Sequence, residues 1–218
     1  MNKVRVVFGK SGPFVFTSHL DVMRTIHRCF FRAGIDVAYS KGFNPRGNIS
    51  FALPLALGIG CKNEIMEVEL ESEIAHDVLI EKLNSVAPCG LEFVSVYEGG
   101  KAYKHIGFAD YSIYFEFKEK VANNVVEVFE KLFSEESILV EKTKKDEVKI
   151  VDIKPLIKEI DFTSVENQIE IKCIVAAMEP ALNPELIVAA VKKYTEYNDF
   201  SHKIIRNAIL DKECKIFK

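Results

Sequence analysis

The sequence has no long uninterrupted run of apolar residues. Its longest apolar segment, at 51–60, is short and contains Pro54, whereas a membrane-spanning helix needs roughly 18 consecutive apolar residues. The first residues, MNKVRVVFGK, also lack the apolar core and the small-residue cleavage site of a signal peptide. We therefore expect a cytoplasmic protein without a membrane segment.

Closely spaced cysteines and histidines are also missing. The five cysteines and the five histidines each occur singly, with no CxxC, HxH or HxxxH spacing that would organise a metal. An odd number of scattered cysteines is not typical of a disulfide framework either. We therefore predict reduced thiols, no metal site and no cofactor held by this chain.

Positive and negative charges nearly balance over the whole chain but not within its first 50 residues. The formal net charge of the 218 residues is −3. Residues 1–50, however, contain eight Lys or Arg against only Asp21 and Asp36, which gives this segment +6 and leaves −9 for the rest. Such an asymmetry favours a polyanion or an acidic partner at one end of the chain.

Turn residues and hydrophobic periodicity divide the first half of the chain into successive elements. Ser18 followed by Asp21 predicts a helix start, because this pair can satisfy free backbone N–H groups. Apolar residues at helical spacing continue until Gly34, which ends the helix. The predicted elements are a strand at 4–8, a helix at 18–34, strands at 35–39 and 64–70, a helix at 72–86 and a strand at 91–97.

A second set of elements follows a glycine-containing linker at 98–107. The predicted elements are a strand at 111–117, a helix at 120–134, strand material at 138–162, a strand at 169–175, a helix capped by Asn183 that ends near Tyr194, and a strand at 202–210. Each half therefore has the order βαββαβ. This order predicts the α+β class with two tandem ferredoxin-like domains, at 1–99 and 108–218, each with helices on one face of an antiparallel sheet.

The first predicted helix carries a row of arginines opposite its apolar face. Arg24, Arg28 and Arg32 recur every four residues, and in helical projection they cluster around Asp21. A guanidinium presents a planar fork of N–H donors that suits phosphate. We interpret the row as a phosphate-binding ridge. The alternative is a solvated face on which Asp21 pairs with Arg24.

His19 and Asp21 are the candidates for catalysis if the protein is an enzyme. His19 lies at the predicted helix start, where free backbone N–H groups and the helix dipole attract anions, so it could serve as an acid, a base or a phosphate ligand. The alternative is a surface or packing histidine. Neither residue has a recognisable catalytic partner in the sequence, so we expect a protein that is not an enzyme.

The segment SKGFNPRGNIS at 40–50 combines glycine, proline and basic residues. Its glycines permit close backbone approach, Lys41 and Arg46 supply positive charge on either side of Asn44, and Phe43 could stack on a base. The pattern is neither a P-loop motif nor GxGxxG, so no nucleotide-binding fingerprint is present. The alternative is a connecting loop with Phe43 buried beneath it.

Several separated motifs carry a family resemblance. The chain resembles the start of the DUF2344 family, also called radical SAM-linked proteins, in three motifs: SHLD at 18–21, YSKGFNP at 39–45 and FALPLALG at 51–58. Weaker similarity continues through VDIKPLIKEI and IIRNAIL. The loop departs from the family's Asn-Pro-His-Pro-Lys, because Arg46, Gly47 and Asn48 follow Pro45. A family histidine in this loop therefore has no counterpart here.

The resemblance implies a partner rather than an activity. Family members are similar to segments fused behind a B12-binding radical SAM enzyme, or occur beside such an enzyme near genes for RNA processing and ribosomes. This chain has no CxxxCxxC motif for a 4Fe–4S cluster. It is therefore expected to be a separate partner of the radical enzyme.

The leading hypothesis is a non-catalytic accessory protein that binds tRNA or rRNA for modification by the radical SAM enzyme. Arg24, Arg28 and Arg32 would follow the phosphates, and Lys41, Arg46 and the helix start would complete the surface. One alternative is an RNA-acting enzyme, because tandem ferredoxin-like domains also occur in pseudouridine synthases and CRISPR endoribonucleases. Another is a protein adaptor whose arginine face binds an acidic surface.

Overall fold

The structure is a computed structural model that describes residues 2–119, 124–144 and 147–218. In it the chain forms two compact units. The first consists of Met1–His105 together with Phe217–Lys218, and the second of Ile106–Ile216. Among the described residues, no helix is long and apolar enough to cross a membrane.

The first unit alternates strands and helices. In chain order its elements are β1 (Asn2–Lys10), α1 (His19–Arg32), β2 (Ile49–Phe51), β3 (Ile59–Leu70), α2 (His76–Val86) and β4 (Leu91–Glu98). The strands pair antiparallel in the order β4-β1-β3-β2. A short 3-10 helix, Gly12–Phe16, connects β1 to α1.

Strand alternation and helix periodicity bury one core in this unit. Val4, Val6 and Phe8 of β1 point to the same sheet face, because successive strand side chains alternate, and all three are buried. The apolar face of α1, which includes Ile26 and Phe30, packs into the same cluster. The outer face of α1 is therefore left exposed.

The second unit repeats this pairing order and adds a hairpin. Its elements are β5 (Ile106–Phe117), α3 (Val125–Ser134), β6 (Leu139–Lys144), β7 (Glu147–Asp152), β8 (Ile157–Val165), β9 (Gln168–Ala176), α4 (Glu185–Tyr194) and β10 (Phe200–Asp211). Its strands pair antiparallel in the order β10-β5-β9-β8. Strands β6 and β7 form a separate two-stranded sheet. The predicted α+β class with antiparallel sheets is confirmed.

Aromatic rings fill much of the core of the second unit. Phe115 of β5 stacks on Phe200 of β10, with ring centroids 4.2 Å apart. Phe129 of α3 lies edge-on to Phe115 at 6.1 Å. Offset and edge-on ring pairs of this kind add to the stabilisation that burial provides.

The predicted strand at 35–39 is wrong. The chain makes only isolated bridges there, such as the one from Val37 to Leu70. The reason lies in the pairing partner, because β3 ends at Leu70 and its preceding edge positions already pair with β2. Too little of β3 is left to extend the bridge into a strand.

The second helix begins one turn later than predicted. α2 starts at His76 rather than near Ser72, and Ala75 occupies its cap position without a side-chain hydrogen bond. Ile74 packs against the core from a non-helical segment. Core packing before the helix therefore overrides the local capping signal of Ser72.

Boundaries in the second unit also differ from those predicted. α3 begins at Val125, and residues 120–123 of the predicted helix lie outside the described residues. The strand material expected at 138–162 consists of β6, β7 and β8 in succession. α4 begins at Glu185 with Pro184, not Asn183, at its cap position, and the Asn183 side-chain oxygen accepts a hydrogen bond from the Glu185 N–H at 3.2 Å.

Candidate functional site

α1 begins at a reciprocal hydrogen-bonded cap. The Ser18 hydroxyl accepts a hydrogen bond from the Asp21 N–H at 3.2 Å and donates one to the Asp21 carboxylate at 2.7 Å. The first bond satisfies a backbone donor that has no partner within the helix. Hydrogen bonds from Ser18, and then from Arg24, lower the pKa of the Asp21 carboxyl. The predicted helix start is confirmed.

Arg24, Arg28 and Arg32 all lie exposed on the outer face of α1. Arg24 donates to the Asp21 carboxylate, with Nη1 and Oδ1 3.1 Å apart. Within the described part of the chain, neither Arg28 nor Arg32 has an ion-pair partner. The alternative, a solvated face on which Asp21 pairs with Arg24, therefore accounts for only one arginine of the row. The other two guanidinium groups are available for a ligand.

Two large apolar side chains lie beside the arginine row and were not predicted from the sequence. Phe31 is 85% exposed and Leu20 is 61% exposed. In helical projection from Asp21, both lie at roughly 260–280°, next to Arg24 at about 300°. The signal was present in the sequence, because the same projection separates Phe31 from its buried neighbour Phe30.

A loop after α1, from Ser40 to Arg46 and called here the basic loop, is closed by hydrogen bonds between its ends. The Ser40 N–H donates to the Arg46 carbonyl at 2.8 Å, and the Arg46 N–H donates to the Ser40 hydroxyl at 3.0 Å. Lys41 and Asn44 are exposed, and Phe43 is fully so. The alternative of a buried Phe43 is wrong, and the loop presents a cation and a ring outwards.

Gly47 holds the end of the basic loop against α1. A Cβ added at Gly47 would lie 2.8 Å from Cε1 and 3.1 Å from Nδ1 of His27, so a larger residue does not fit without movement. Burial lowers the pKa of the His27 imidazole, so the ring packs there uncharged at neutral pH. Because His27 lies three residues after Arg24 and four before Phe31, the loop meets α1 on the face of these side chains.

Not all of the positive charge in residues 1–50 reaches the surface. Arg5 and Lys10 are buried. Lys10 Nζ donates to the Thr17 carbonyl at 2.9 Å, and burial lowers the pKa of its amine. Of the six other basic residues in this segment, five lie on α1 or in the basic loop. The exposed charge is therefore more concentrated than the sequence alone indicates.

His19 has a packing position at the start of α1. Its half-buried ring lies edge-on to Phe51, with centroids 5.3 Å apart. Together with Lys10 and Glu64 it lines a cavity of about 10 Å³, which has room for one water molecule at most. Asp21 is engaged in the helix cap and its ion pair. Both catalytic candidates thus have structural contacts.

Metal-ligating side chains are dispersed in the described part of the chain. No group of three or more His, Cys, Asp or Glu residues there could hold a metal ion. None of the five cysteines, all of which are described, forms a disulfide, and three of them are buried. Burial raises the pKa of Cys173 to about 12, so this thiol stays protonated and unreactive at neutral pH.

Similarity to solved structures concerns the fold. One chain of a crystal structure of a Cbf5-Nop10-Gar1 complex is similar over 94% of this chain, with a TM-score of 0.53 and 9% sequence identity, and this chain covers 48% of its length. This chain thus spans about half of that relative. An unknown protein from Galdieria sulphuraria aligns with 94% of this chain and 96% of its own, at 12% identity and a TM-score of 0.26. At such identities the first likeness shows a shared fold alone.

Similarity in sequence is found at the level of a family. No curated protein matches this chain. The model of the DUF2344 family, described as an uncharacterized protein conserved in bacteria, matches residues 3–193. This range includes α1, the basic loop and most of the second unit. The chain therefore belongs to the DUF2344 family.

Proposed function

We propose that this chain is a non-catalytic accessory protein that binds tRNA or rRNA and presents it to a radical SAM enzyme. The observation that carries the proposal is one exposed, positively charged surface in the first unit. This basic surface consists of Arg24, Arg28 and Arg32 on α1 and of Lys41 and Arg46 in the basic loop. Clustered cations of this kind attract the phosphate backbone of a nucleic acid.

The spacing of the arginines suits a run of phosphates. Helix residues four apart lie on the same side and rise by about 6 Å, so the three guanidinium groups can follow a nucleic-acid backbone along α1. Each can bind a phosphate through two parallel N–H donors. Arg28 and Arg32 need not give up an ion pair with any described residue to do so.

The radical SAM partner is inferred from the family resemblance. The SHLD and YSKGFNP motifs resemble those of radical SAM-linked proteins, and they are the segments that build the cap of α1 and the basic loop. Because the sequence has no CxxxCxxC motif, the cluster and the radical chemistry would belong to the partner. A fold shared with a chain of the Cbf5-Nop10-Gar1 complex is consistent with a role inside an assembly.

We further propose that the two units are ferredoxin-like domains close to the boundaries 1–99 and 108–218. In each unit the last, first, third and second strands of the sheet lie side by side, all antiparallel. This order supports a split βαβ arrangement. The short β2 and the added β6–β7 hairpin are the departures from it.

Replacing Arg24, Arg28 and Arg32 together by Gln tests RNA binding. We expect RNA affinity to fall strongly while the melting temperature changes little, because exposed charges contribute little to stability. Each phosphate contact with single-stranded RNA contributes about −0.7 to the log–log salt slope, so the slope of the variant should be shallower by about 2. Fluorescence anisotropy with labelled RNA across a salt series measures both quantities.

The second unit provides a matched control for this triple variant. Lys142, Lys158 and Lys212 are exposed there, and changing all three to Gln removes the same charge. This control should keep most of the affinity.

An arginine variant with wild-type affinity and salt slope would overturn the proposal. If RNA binding survives but co-purification with the radical SAM enzyme is lost, the adaptor alternative is correct. Site-specific RNA cleavage that Asp21→Asn abolishes would establish the enzyme alternative.

A further inference from the structure

We infer that the RNA segment bound at the basic surface is unpaired and that Phe43 and Phe31 stack on its bases. This inference rests on the proposed function, since it names the class of RNA that the same surface takes. Its basis is the exposure of two phenylalanine rings among the five cations.

Phe43 is held outwards by a loop whose ends are fixed. The hydrogen bonds between Ser40 and Arg46 close the loop, and the contact of Gly47 with His27 joins its end to α1. The Phe43 ring is nevertheless fully exposed to solvent. Burying such a ring against a ligand recovers hydrophobic free energy, and a closed loop loses less entropy on binding.

Phe31 places a second ring beside the arginine row. It lies three residues after Arg28 and directly before Arg32, and its side chain is 85% exposed. Rings interleaved with cations are typical of surfaces that bind single strands, where the cations follow the backbone and the rings stack on bases. Leu20, on the same side of α1, is a further exposed apolar side chain.

An unpaired segment uses this surface better than a duplex does. In an A-form duplex the bases are stacked on one another, and proteins reach mainly phosphates and 2′-hydroxyl groups. Phe43 and Phe31 would then have no flat partner. An acidic protein surface would complement the charge, but exposed rings that alternate with cations are typical of surfaces that bind single strands. The observations therefore favour unpaired RNA as the occupant.

Two probes of equal charge test the inference. One is a labelled single-stranded oligoadenosine, and the other is a blunt-ended RNA duplex with the same number of phosphates. We expect wild type to bind the single strand more tightly. Phe31→Ala and Phe43→Ala should each weaken single-strand binding by roughly tenfold, because stacking on one base contributes about that much. The duplex affinity and the salt slope should stay unchanged, because the phosphate contacts remain.

Conservative variants distinguish stacking from general hydrophobic contact. Phe43→Tyr keeps a ring face and should keep the affinity for the single strand, whereas Phe43→Leu should not. Tyr194 is a control, because its ring is 46% exposed but lies on α4 of the second unit. Tyr194→Ala should therefore bind like wild type, and an equal loss there would overturn the inference.

The outcomes separate this inference from the proposed function. If the arginine variant loses RNA but Phe31→Ala and Phe43→Ala bind normally, the proposed function stands and base stacking is overturned. Equal affinity for both probes also overturns it. If wild type binds neither probe, the proposed function itself fails. If the ring variants instead lose an acidic protein partner while RNA binding is unchanged, the surface is a protein interface.

Discussion

Gly47 lies so close to α1 that one added methyl group tests how the basic loop is held. Ala at this position would place its Cβ 2.8 Å from the His27 ring. We expect Gly47→Ala to destabilise the protein by about 1 kcal/mol, the low end for overpacking, because the ring can partly move away. The same change should displace the loop and weaken RNA binding. Urea unfolding and anisotropy titration measure the two effects.

Removing the His27 ring provides the control for this steric argument. In a His27→Ala background the next neighbour of the added Cβ is Val37 Cγ1 at 3.4 Å, which is close to ordinary contact. Gly47→Ala should then cost less, and a double-mutant cycle should show a coupling of at least about 0.5 kcal/mol. Equal costs in both backgrounds would contradict the proposed contact.

Basic residues of the first unit have two different environments, and only one of them could be predicted. Arg5 is buried with its guanidinium over the rings of Tyr103 and Phe217, at 5.3 and 5.4 Å from their centroids. Lys10 is buried with its amine on the Thr17 carbonyl. The burial of Arg5 depends on partners that are distant in sequence. The burial of Lys10 depends on a carbonyl that lies outside regular secondary structure. The exposed arginines were predictable because their neighbours along the same helix define its two faces.

At the scale of an element, the cap of α1 makes a measurable contribution. Ser18→Ala removes the acceptor for a backbone N–H, and losing such a cap costs about 1 kcal/mol. α3 offers a matched control, because Asn124 occupies its cap position without a side-chain cap bond. We expect the free energy of unfolding to fall by about 1 kcal/mol for Ser18→Ala and hardly at all for Asn124→Ala. Chemical denaturation compares them, and equal losses would mean that the cap bond is not the cause.

Elements with complete local signals are predictable, whereas those that depend on a distant partner are not. α1 carries its cap, its apolar stripe and its stop at Gly34 within one stretch of sequence. The segment at 35–39 has the composition of a strand, but its pairing is decided by how much of the β3 edge remains beside β2. The separate β6–β7 sheet is likewise a matter of pairing rather than of composition.

For the whole molecule, the order of elements predicts the α+β class but not which residues belong to each unit. The first unit includes Phe217–Lys218, from the opposite end of the sequence. The Lys101 N–H donates to the Lys218 carbonyl at 2.8 Å, and Phe217 is buried. No local pattern marks Phe217 as a partner of Arg5, so a boundary placed at residue 99 could not include it.

Phe217 should therefore contribute strongly to the stability of a unit from which it is far in sequence. Its ring lies 6.2 Å from that of Tyr103 and beneath the Arg5 guanidinium. Removing a buried phenylalanine ring costs about 3–5 kcal/mol, so we expect Phe217→Ala to destabilise the first unit by about that amount. Native-state hydrogen exchange should locate the loss in β1 and its neighbours. Ile216→Ala is the control, because this side chain is 68% exposed and its loss should change stability by about 0.5 kcal/mol or less. Similar effects of the two changes would show that the chain end is not part of the first unit.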